Sequence, residues 1–179
     1  MIAELYWLPA STSLRLALAP RPRAGDWLDD EMRAWARTGV DVVASLLEPQ
    51  EIRELGLHGQ EQACRVSGMR YLSFPIADRQ VPPCLRATRR FCGALADDLR
   101  SGLAVVVHCR AGIGRSGLIA ACVLQEFGIT GDAAFAMLGA ARRVQVPDTE
   151  QQAQWVRDYA AHRSLSGSAE PRADVHQAR

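Results

Sequence analysis

The sequence predicts a single α/β domain in which helices flank a central, mostly parallel β-sheet. Segments rich in aliphatic residues alternate with amphipathic helical segments, the order that builds such sheets. Two predicted strands, residues 40–47 and 103–107, are almost entirely apolar, which is typical of strands covered on both faces. The length of 179 residues fits one domain. We expect this domain to span residues 1–163 and residues 164–179, which contain only two large aliphatic side chains, to form a flexible C-terminal tail.

The first predicted elements are two short strands and a helix. Residues 2–8 and 14–18 are rich in aliphatic and aromatic side chains, and a proline with small polar residues separates them. From residue 26 the apolar side chains recur with the helical period, and Gly39 is placed to end that helix. The apolar strand at residues 40–47 follows directly.

The middle of the chain continues the alternation of helix and strand. Residues 49–55 and 61–67 are predicted to form two short helices, and residues 69–76 a strand that runs into a loop. A longer helix over residues 84–99 has one apolar stripe, and Gly102 lies just past its end.

The remaining elements surround the most informative loop of the chain. Residues 103–107 are the predicted central strand, and a helix over residues 116–127 follows the loop. Thr130 opens the next helix. The last helix covers residues 149–163, where its first residue and Gln152 form a T-x-x-Q capping box.

Composition excludes several classes of enzyme. The 21 basic residues are all arginines, and the chain contains neither Lys nor Asn. A P-loop nucleotidase, a protein kinase and a pyridoxal enzyme each need a lysine, so none of these can be built here. The strong arginine bias is typical of a G+C-rich, bacterial genome. A net charge of +1 gives no general attraction to nucleic acid, which we do not expect as a partner.

Cysteine usage and hydropathy indicate a cytoplasmic protein without a disulfide framework, a zinc site or a membrane anchor. The cysteines stand at positions 64, 84, 92, 109 and 122. Their odd number and the lack of a C-x-x-C pair favour neither a disulfide framework nor a zinc site. The start of the chain does not resemble a signal peptide, and its longest aliphatic run has five residues, so no membrane association is expected.

The segment that follows the central strand reads H-C-R-A-G-I-G-R-S-G, from His108 to Gly117. A cysteine, five residues and an arginine between a buried strand and a helix can form a loop whose N–H groups point inward, beside the positive end of that helix. The residues expected to bind phosphate in this way are His108, Arg110, Ala111, Gly112, Ile113, Gly114 and Arg115. We refer to residues 108–115 as the 108–115 loop.

Residue types in and after this loop fit nucleophilic chemistry at phosphorus. The planar fork of Arg115 can hold two phosphate oxygens. The same positive field favours the thiolate form of Cys109, and Ser116 can donate a hydrogen bond to that sulfur. Taken singly, Cys109 is better interpreted as a buried inert thiol and the glycines as parts of a turn, but the whole set of residues in this order favours a phosphate site. His108 is best interpreted as a structural residue that orders the loop.

A leaving oxygen also needs a proton, and Asp78 is the candidate donor. It lies in the segment F-P-I-A-D-R-Q-V-P, after the strand at residues 69–76, and both strands are expected to end at the same sheet edge. The alternative interpretation of Asp78 is a solvated turn residue. Asp97 and Asp98, on a helix, are interpreted as surface residues.

A third segment opens the final helix. There Asp148 or Gln152 can orient the attacking water, although helix capping explains both residues equally well. Arg79 and Arg110 can line the mouth of the site and attract acidic groups, but solvated charge is the preferred interpretation of both.

These motifs resemble those of the cysteine-dependent protein tyrosine phosphatases, whose signature is H-C, five residues, R and then Ser or Thr. The resemblance is to the small dual-specificity branch, similar to the cyclin-dependent kinase-associated phosphatase, and covers roughly residues 40–156. It implies a phosphatase-like fold with the phosphate-binding loop between a central strand and a helix. It also implies that Cys109 attacks phosphorus, Arg115 holds the equatorial oxygens, and Asp78 protonates the leaving oxygen and later activates water.

The resemblance implies a metal-independent phosphatase that uses no organic cofactor and acts on phosphotyrosine in proteins or peptides, with phosphoserine and phosphothreonine as further substrates. Apolar Ala111 and Ile113 favour a phosphoprotein over a phosphoinositide, because lipid phosphatases of this superfamily tend to have basic residues there. Two alternatives stay open: a catalytically silent phosphate-binding module, and a thiol enzyme of the arsenate reductase or sulfurtransferase kind. Cys64 or Cys84 is a candidate partner for a regulatory disulfide with Cys109. The sequence does not indicate an oligomeric state.

Overall fold

A computed structural model describes residues 4–166 and contains a five-stranded sheet. Its strands are β1 Tyr6–Trp7, β2 Leu16–Ala19, β3 Val42–Ser45, β4 Arg70–Ser73 and β5 Val105–His108. They lie in the order β1-β2-β5-β3-β4, in which only the β1–β2 pair is antiparallel. The predicted α/β class, with a mostly parallel sheet and the 103–107 segment at its centre, is confirmed.

Seven helices cover the two faces of this sheet within the described residues. They are α1 Leu28–Arg37, α2 Pro49–Glu54, α3 Gln60–Val66, α4 Leu85–Arg100, α5 Gly114–Gln125, α6 Gly131–Arg142 and α7 Glu150–Ser166. Side chains alternate along each strand, so Val106 packs with α1 and α3 while Val105 and Val107 pack with α4 to α7. α5 is buried along almost its whole length because α4, α6 and α7 enclose it against the sheet.

The parallel register places three functional segments at one edge of the sheet. Ser45 of β3 is paired with His108 of β5 and with Ser73 of β4, so these strands end level with one another. The segments that follow them are the one leading to α2, residues 74–84, which we call the Asp78 loop, and the 108–115 loop. This is the common edge that the sequence analysis expected.

Several predicted boundaries differ from the structure, and β1, β3 and β4 are shorter than the predicted strands. α5 begins at Gly114 instead of residue 116, because its N-cap, Ile113, has no capping side chain to mark the start. α7 begins at Glu150 and continues through Ser166, so residues 164–166 of the expected tail are helical. Residues 167–179 lie outside the described part of the chain.

The T-x-x-Q capping box is only half formed. The Gln152 backbone N–H donates to Thr149 Oγ1 at 3.2 Å, but the Gln152 side chain turns away and donates to the carbonyl oxygen of Gln80 at 3.1 Å. Thr130, in contrast, caps α6 as predicted, since its Oγ1 accepts from the Ala133 N–H. Across residues 4–166, no helix combines the length and the apolar character needed to cross a membrane.

Candidate active site

Cys109 is the first residue after β5 and lies at the bottom of the 108–115 loop. It is 3% exposed, and its Sγ accepts a hydrogen bond from the Gly112 N–H at 3.3 Å. The hydroxyl of Ser116, in the first turn of α5, lies 3.4 Å from the same sulfur. The Gly112 N–H donates to the sulfur, and the Ser116 hydroxyl can donate to it when the sulfur carries negative charge.

Gly112 makes this loop possible. Its φ is +72°, in the left-handed region that glycine tolerates best. A Cβ there would lie 2.5 Å from both the carbonyl carbon and the oxygen of Ala19, which are backbone atoms at the end of β2. The loop therefore packs against the neighbouring strand at a distance that only glycine allows.

Arg115 is buried beside the cavity and is held by three protein groups. Its Nη1 donates to Glu51 Oε2 at 2.6 Å and to the carbonyl oxygen of Ile76 at 2.9 Å, and its Nη2 donates to Glu51 Oε1 at 2.9 Å. Nη2 also lies 2.9 Å from Asp78 Oδ1. The Arg115 side chain is 1% exposed, whereas Asp78 is 58% exposed and approaches from the solvent side.

Glu51 is a site residue that sequence reasoning missed. Burial alone would raise the pKa of its carboxyl group, but hydrogen bonds from Arg115 and from the Glu48 N–H hold the pKa below its usual value. Glu51 therefore stays charged at neutral pH. Its position in the first turn of α2, at the carboxyl edge of the sheet, is the only local signal of this role.

His108 is enclosed beneath the loop. Burial lowers its pKa to about 4, and the charge of Arg115 acts in the same direction. The ring is therefore neutral at pH 7, with Nε2 2.9 Å from Gln60 Nε2 and Nδ1 3.4 Å from the Cys109 carbonyl oxygen. Trp35 packs edge-on against the ring. These contacts agree with a residue that orders the loop.

Most of the predicted residues line one cavity of about 160 Å³, whereas His108, Gly112 and Ser116 are not among its lining residues. It is lined by Asp78, Arg79, Cys109, Arg110, Ala111, Ile113, Gly114, Arg115, Asp148 and Gln152. Asp97 and Asp98 lie outside it on α4, where Asp97 pairs with Arg100 at 2.7 Å and Asp98 with Arg70 at 2.9 Å.

The segment that opens α7 forms one wall of the cavity. Gln152 is fully buried, and its Oε1 has no hydrogen-bond partner among the described residues. A Cβ on Gly114 would lie 3.0 Å from this oxygen, so the amide faces the loop. Asp148 Oδ2 lies 3.6 Å from Arg79 Nη1 at the mouth, where both side chains are exposed. Arg110 is exposed as well.

All five cysteines are unpaired thiols. Cys64 packs on the α1 side of the sheet and donates to Met32 Sδ at 3.4 Å, whereas Cys109 belongs to the core on the other side. Burial raises the pKa of Cys64 to about 12, which keeps it protonated. Cys84 is exposed at the start of α4. A regulatory disulfide stays a prediction, and the burial of Cys64 in the core cluster that does not contain Cys109 disfavours Cys64 as the partner.

Comparison with known proteins finds relatives of part of this chain. A family model described as "Polymorphic toxin system, DSP-PTPase phosphatase" matches residues 19–129. A protein of Invertebrate iridescent virus 6, 197R, whose name gives it as a proposed tyrosine phosphatase, is 41% identical over 64 residues. That match covers 32% of this chain and 24% of the viral protein.

Solved structures share the fold along most of the chain. Kinase-associated phosphatase with its catalytic cysteine replaced by serine has a TM-score of 0.79 at 20% identity, over 90% of this chain and 97% of that one. Tk-PTP in its active form has a TM-score of 0.69 at 22% identity, over 82% and 92%. PTPMT1 in complex with PI(5)P has a TM-score of 0.70 at 19% identity, over 86% and 94%.

Proposed function

The chain belongs to the DSP-PTPase phosphatase family, and we propose that it hydrolyses phosphotyrosine in proteins, and also phosphoserine and phosphothreonine, through a phosphocysteine at Cys109. One observation supports this most directly. The Cys109 sulfur, a loop N–H that donates to it and the buried Arg115 guanidinium meet in one cavity of about 160 Å³. A tetrahedral dianion bound there would have its phosphorus above the sulfur and its oxygens on Arg115 and the loop amides.

The first step forms a bond between Cys109 Sγ and phosphorus and breaks the bond to the leaving oxygen. Asp78, at the mouth and 2.9 Å from Arg115, donates the proton that this oxygen takes up. The positive charge of Arg115 balances the negative charge of the equatorial oxygens. The ion pair with Glu51 fixes the direction in which the Arg115 guanidinium points.

The second step returns the sulfur to its starting state. Asp78, now ionised, removes a proton from water, and the water oxygen attacks phosphorus as the S–P bond breaks. Ser116 Oγ, 3.4 Å from the sulfur, stabilises the departing thiolate. Gln152 is the better of the two candidates for orienting this water, because its unpartnered Oε1 faces the loop while Asp148 pairs with Arg79.

The proposed substrate is a phosphorylated protein or peptide. Ala111 and Ile113 present apolar side chains to the cavity, a surface that suits the body of an amino-acid side chain better than a polyanionic headgroup. We further propose one phosphatase domain, ending at the close of α7, and a cytoplasmic setting, since five free thiols fit a reducing compartment.

Hydrolysis of a small aryl phosphate in the presence of a chelator tests the proposal. Cys109→Ser should abolish turnover, and Asp78→Ala should lower it by about a hundredfold and flatten its pH profile. Asp97→Ala, a carboxylate removed from the exposed face of α4, is the matched control and should behave as wild type. Turnover that survives Cys109→Ser would end this assignment.

A substrate panel separates the proposal from its alternatives. Phosphotyrosine and phosphothreonine peptides should be hydrolysed faster than a phosphoinositide at equal concentration. Phosphopeptide binding without turnover would identify a silent binding module. Arsenate reduction or persulfide formation at Cys109 would identify a thiol enzyme of another class.

A further inference from the structure

Arg142, the last residue of α6, contacts the 108–115 loop from behind the cavity. Its Nη2 donates to the carbonyl oxygen of Ala111 at 2.8 Å, and its Nε donates to the carbonyl oxygen of Gly112 at 3.0 Å. The guanidinium lies over the ring of Tyr6 on β1, 3.9 Å from the ring centroid. One side chain therefore joins the loop, the C-terminus of α6 and the edge strand of the sheet.

The two carbonyl groups that Arg142 holds determine where two loop N–H groups point. In a trans peptide the C=O and the N–H point in opposite directions. The carbonyl of Ala111 shares its peptide plane with the N–H of Gly112, which donates to Cys109 Sγ at 3.3 Å on the other side. The carbonyl of Gly112 likewise shares its plane with the N–H of Ile113, a residue that lines the cavity.

We propose that Arg142 is a positioning residue that keeps the Gly112 and Ile113 amides turned toward the anion, with Tyr6 holding its guanidinium in place. A charged donor to a carbonyl also polarises that peptide, so its N–H becomes a stronger donor to the sulfur or to a bound oxyanion. Neither Tyr6 nor Arg142 lies within residues 19–129, the part of the chain that the family model matches. Two segments outside that match thus complete the anion site.

Binding of tungstate to the full chain, measured by calorimetry well below the Tm, tests this without requiring turnover. Arg142→Ala should weaken tungstate binding by about tenfold or more, as expected for the loss of two charge-assisted hydrogen bonds. Arg142→Lys, which keeps the charge but not the fork, should recover part of the affinity. Arg143→Ala removes the neighbouring exposed arginine and should stay within about twofold of wild type.

The ring of Tyr6 provides a second, independent variant. Tyr6→Phe keeps the ring and should bind tungstate as wild type does, whereas Tyr6→Leu should lose about threefold to tenfold. In the Arg142→Ala background, Tyr6→Leu should cause no further loss of tungstate affinity, because the two residues act as one unit. For the same variants, kcat/KM on an aryl phosphate should fall in parallel with tungstate affinity.

Wild-type tungstate affinity in Arg142→Ala would overturn the proposal, as would an equal loss in Arg143→Ala. If Arg142→Ala does not fold, Arg142→Lys and Tyr6→Leu decide the question by the same measurement. The turnover readout rests on the proposed phosphatase function, but the binding readout does not. A wild-type chain that binds tungstate and hydrolyses no phosphate ester would refute that function while leaving Arg142 testable.

Discussion

Replacement of Glu51 by glutamine tests the buried ion pair beneath the candidate active site. The substitution keeps the size of the side chain but removes the charge that faces Arg115 at 2.6 and 2.9 Å. Breaking a buried pair by neutralising one partner typically costs about 3–5 kcal/mol. Arg115 keeps the Ile76 carbonyl and Asp78, so we expect the free energy of unfolding to fall by about 2–3 kcal/mol. This corresponds to a drop in Tm of about 4–12 °C.

The same variant should lose activity, because an Arg115 fork free to reorient no longer matches the phosphate oxygens. We expect kcat/KM to fall by about tenfold to a hundredfold. Since the pKa of Glu51 is lowered in the folded state, its stabilisation is fully present above the ordinary value of 4.5 and is lost as the pH falls through the lowered pKa. The Tm difference between wild type and Glu51→Gln should shrink correspondingly in acid.

Calorimetric melting of wild type and Glu51→Gln gives the Tm difference, and the kinetics of both proteins on an aryl phosphate give the change in kcat/KM. Glu54→Gln is the matched control, because it makes the same change on the exposed side of α2. A Glu51→Gln protein that melts within about 2 °C of wild type and keeps its kcat/KM would refute the reasoning.

Three further predictions concern stability. Burial lowers the pKa of His108 to about 4, so between pH 6.5 and 4 the unfolded chain binds a proton that the folded chain does not. The Tm of the wild type should therefore fall as the pH drops from 6.5 toward 4, and the Tm of His108→Gln should fall less. Gly117→Ala should destabilise by about 1–3 kcal/mol, because its Cβ would lie 2.1 Å from Val146 Cγ1, and Val146→Ala in the same chain should restore part of the loss. Gly93→Ala, in the interior of α4 with no atom within 4 Å of the added Cβ, should raise stability by about 0.5–1 kcal/mol in denaturant unfolding.

The sequence predicted the layers of the fold because their signals are local. Apolar runs marked β3 and β5, helical periodicity marked α1 and α4, and a threonine marked the start of α6. The predicted start of α5 was two residues too late because no capping side chain marks the true start. Gln152 resembled half of a capping box, but tertiary contact with the Asp78 loop redirected its amide.

Some residues of the candidate site could likewise be predicted from local sequence patterns, and others could not. Cys109 and Arg115 are six positions apart, and Asp78 lies after a recognisable strand, so their patterns can be read from a single chain. Glu51 lies 64 positions from Arg115, and Arg142 lies 31 from Ala111. Arg142 is one arginine among 21 with no local pattern that distinguishes it, and Glu51 has only its position in the first turn of α2. Only the packing of α2 and α6 against the loop reveals what they contact.

Because Asp78 contacts Arg115, a negative charge of the protein itself lies beside the guanidinium before any phosphate binds. An incoming phosphate has to replace an internal carboxylate on the guanidinium, and when phosphate departs the carboxylate takes its place again. The protein thus contains its own competitor for the reaction product, at an effective concentration set by the Asp78 loop and not by the surroundings. Ambient phosphate is held less tightly for this reason, and the exchange releases the Asp78 carboxylate from Arg115, so that it can take up a proton before it acts as the acid.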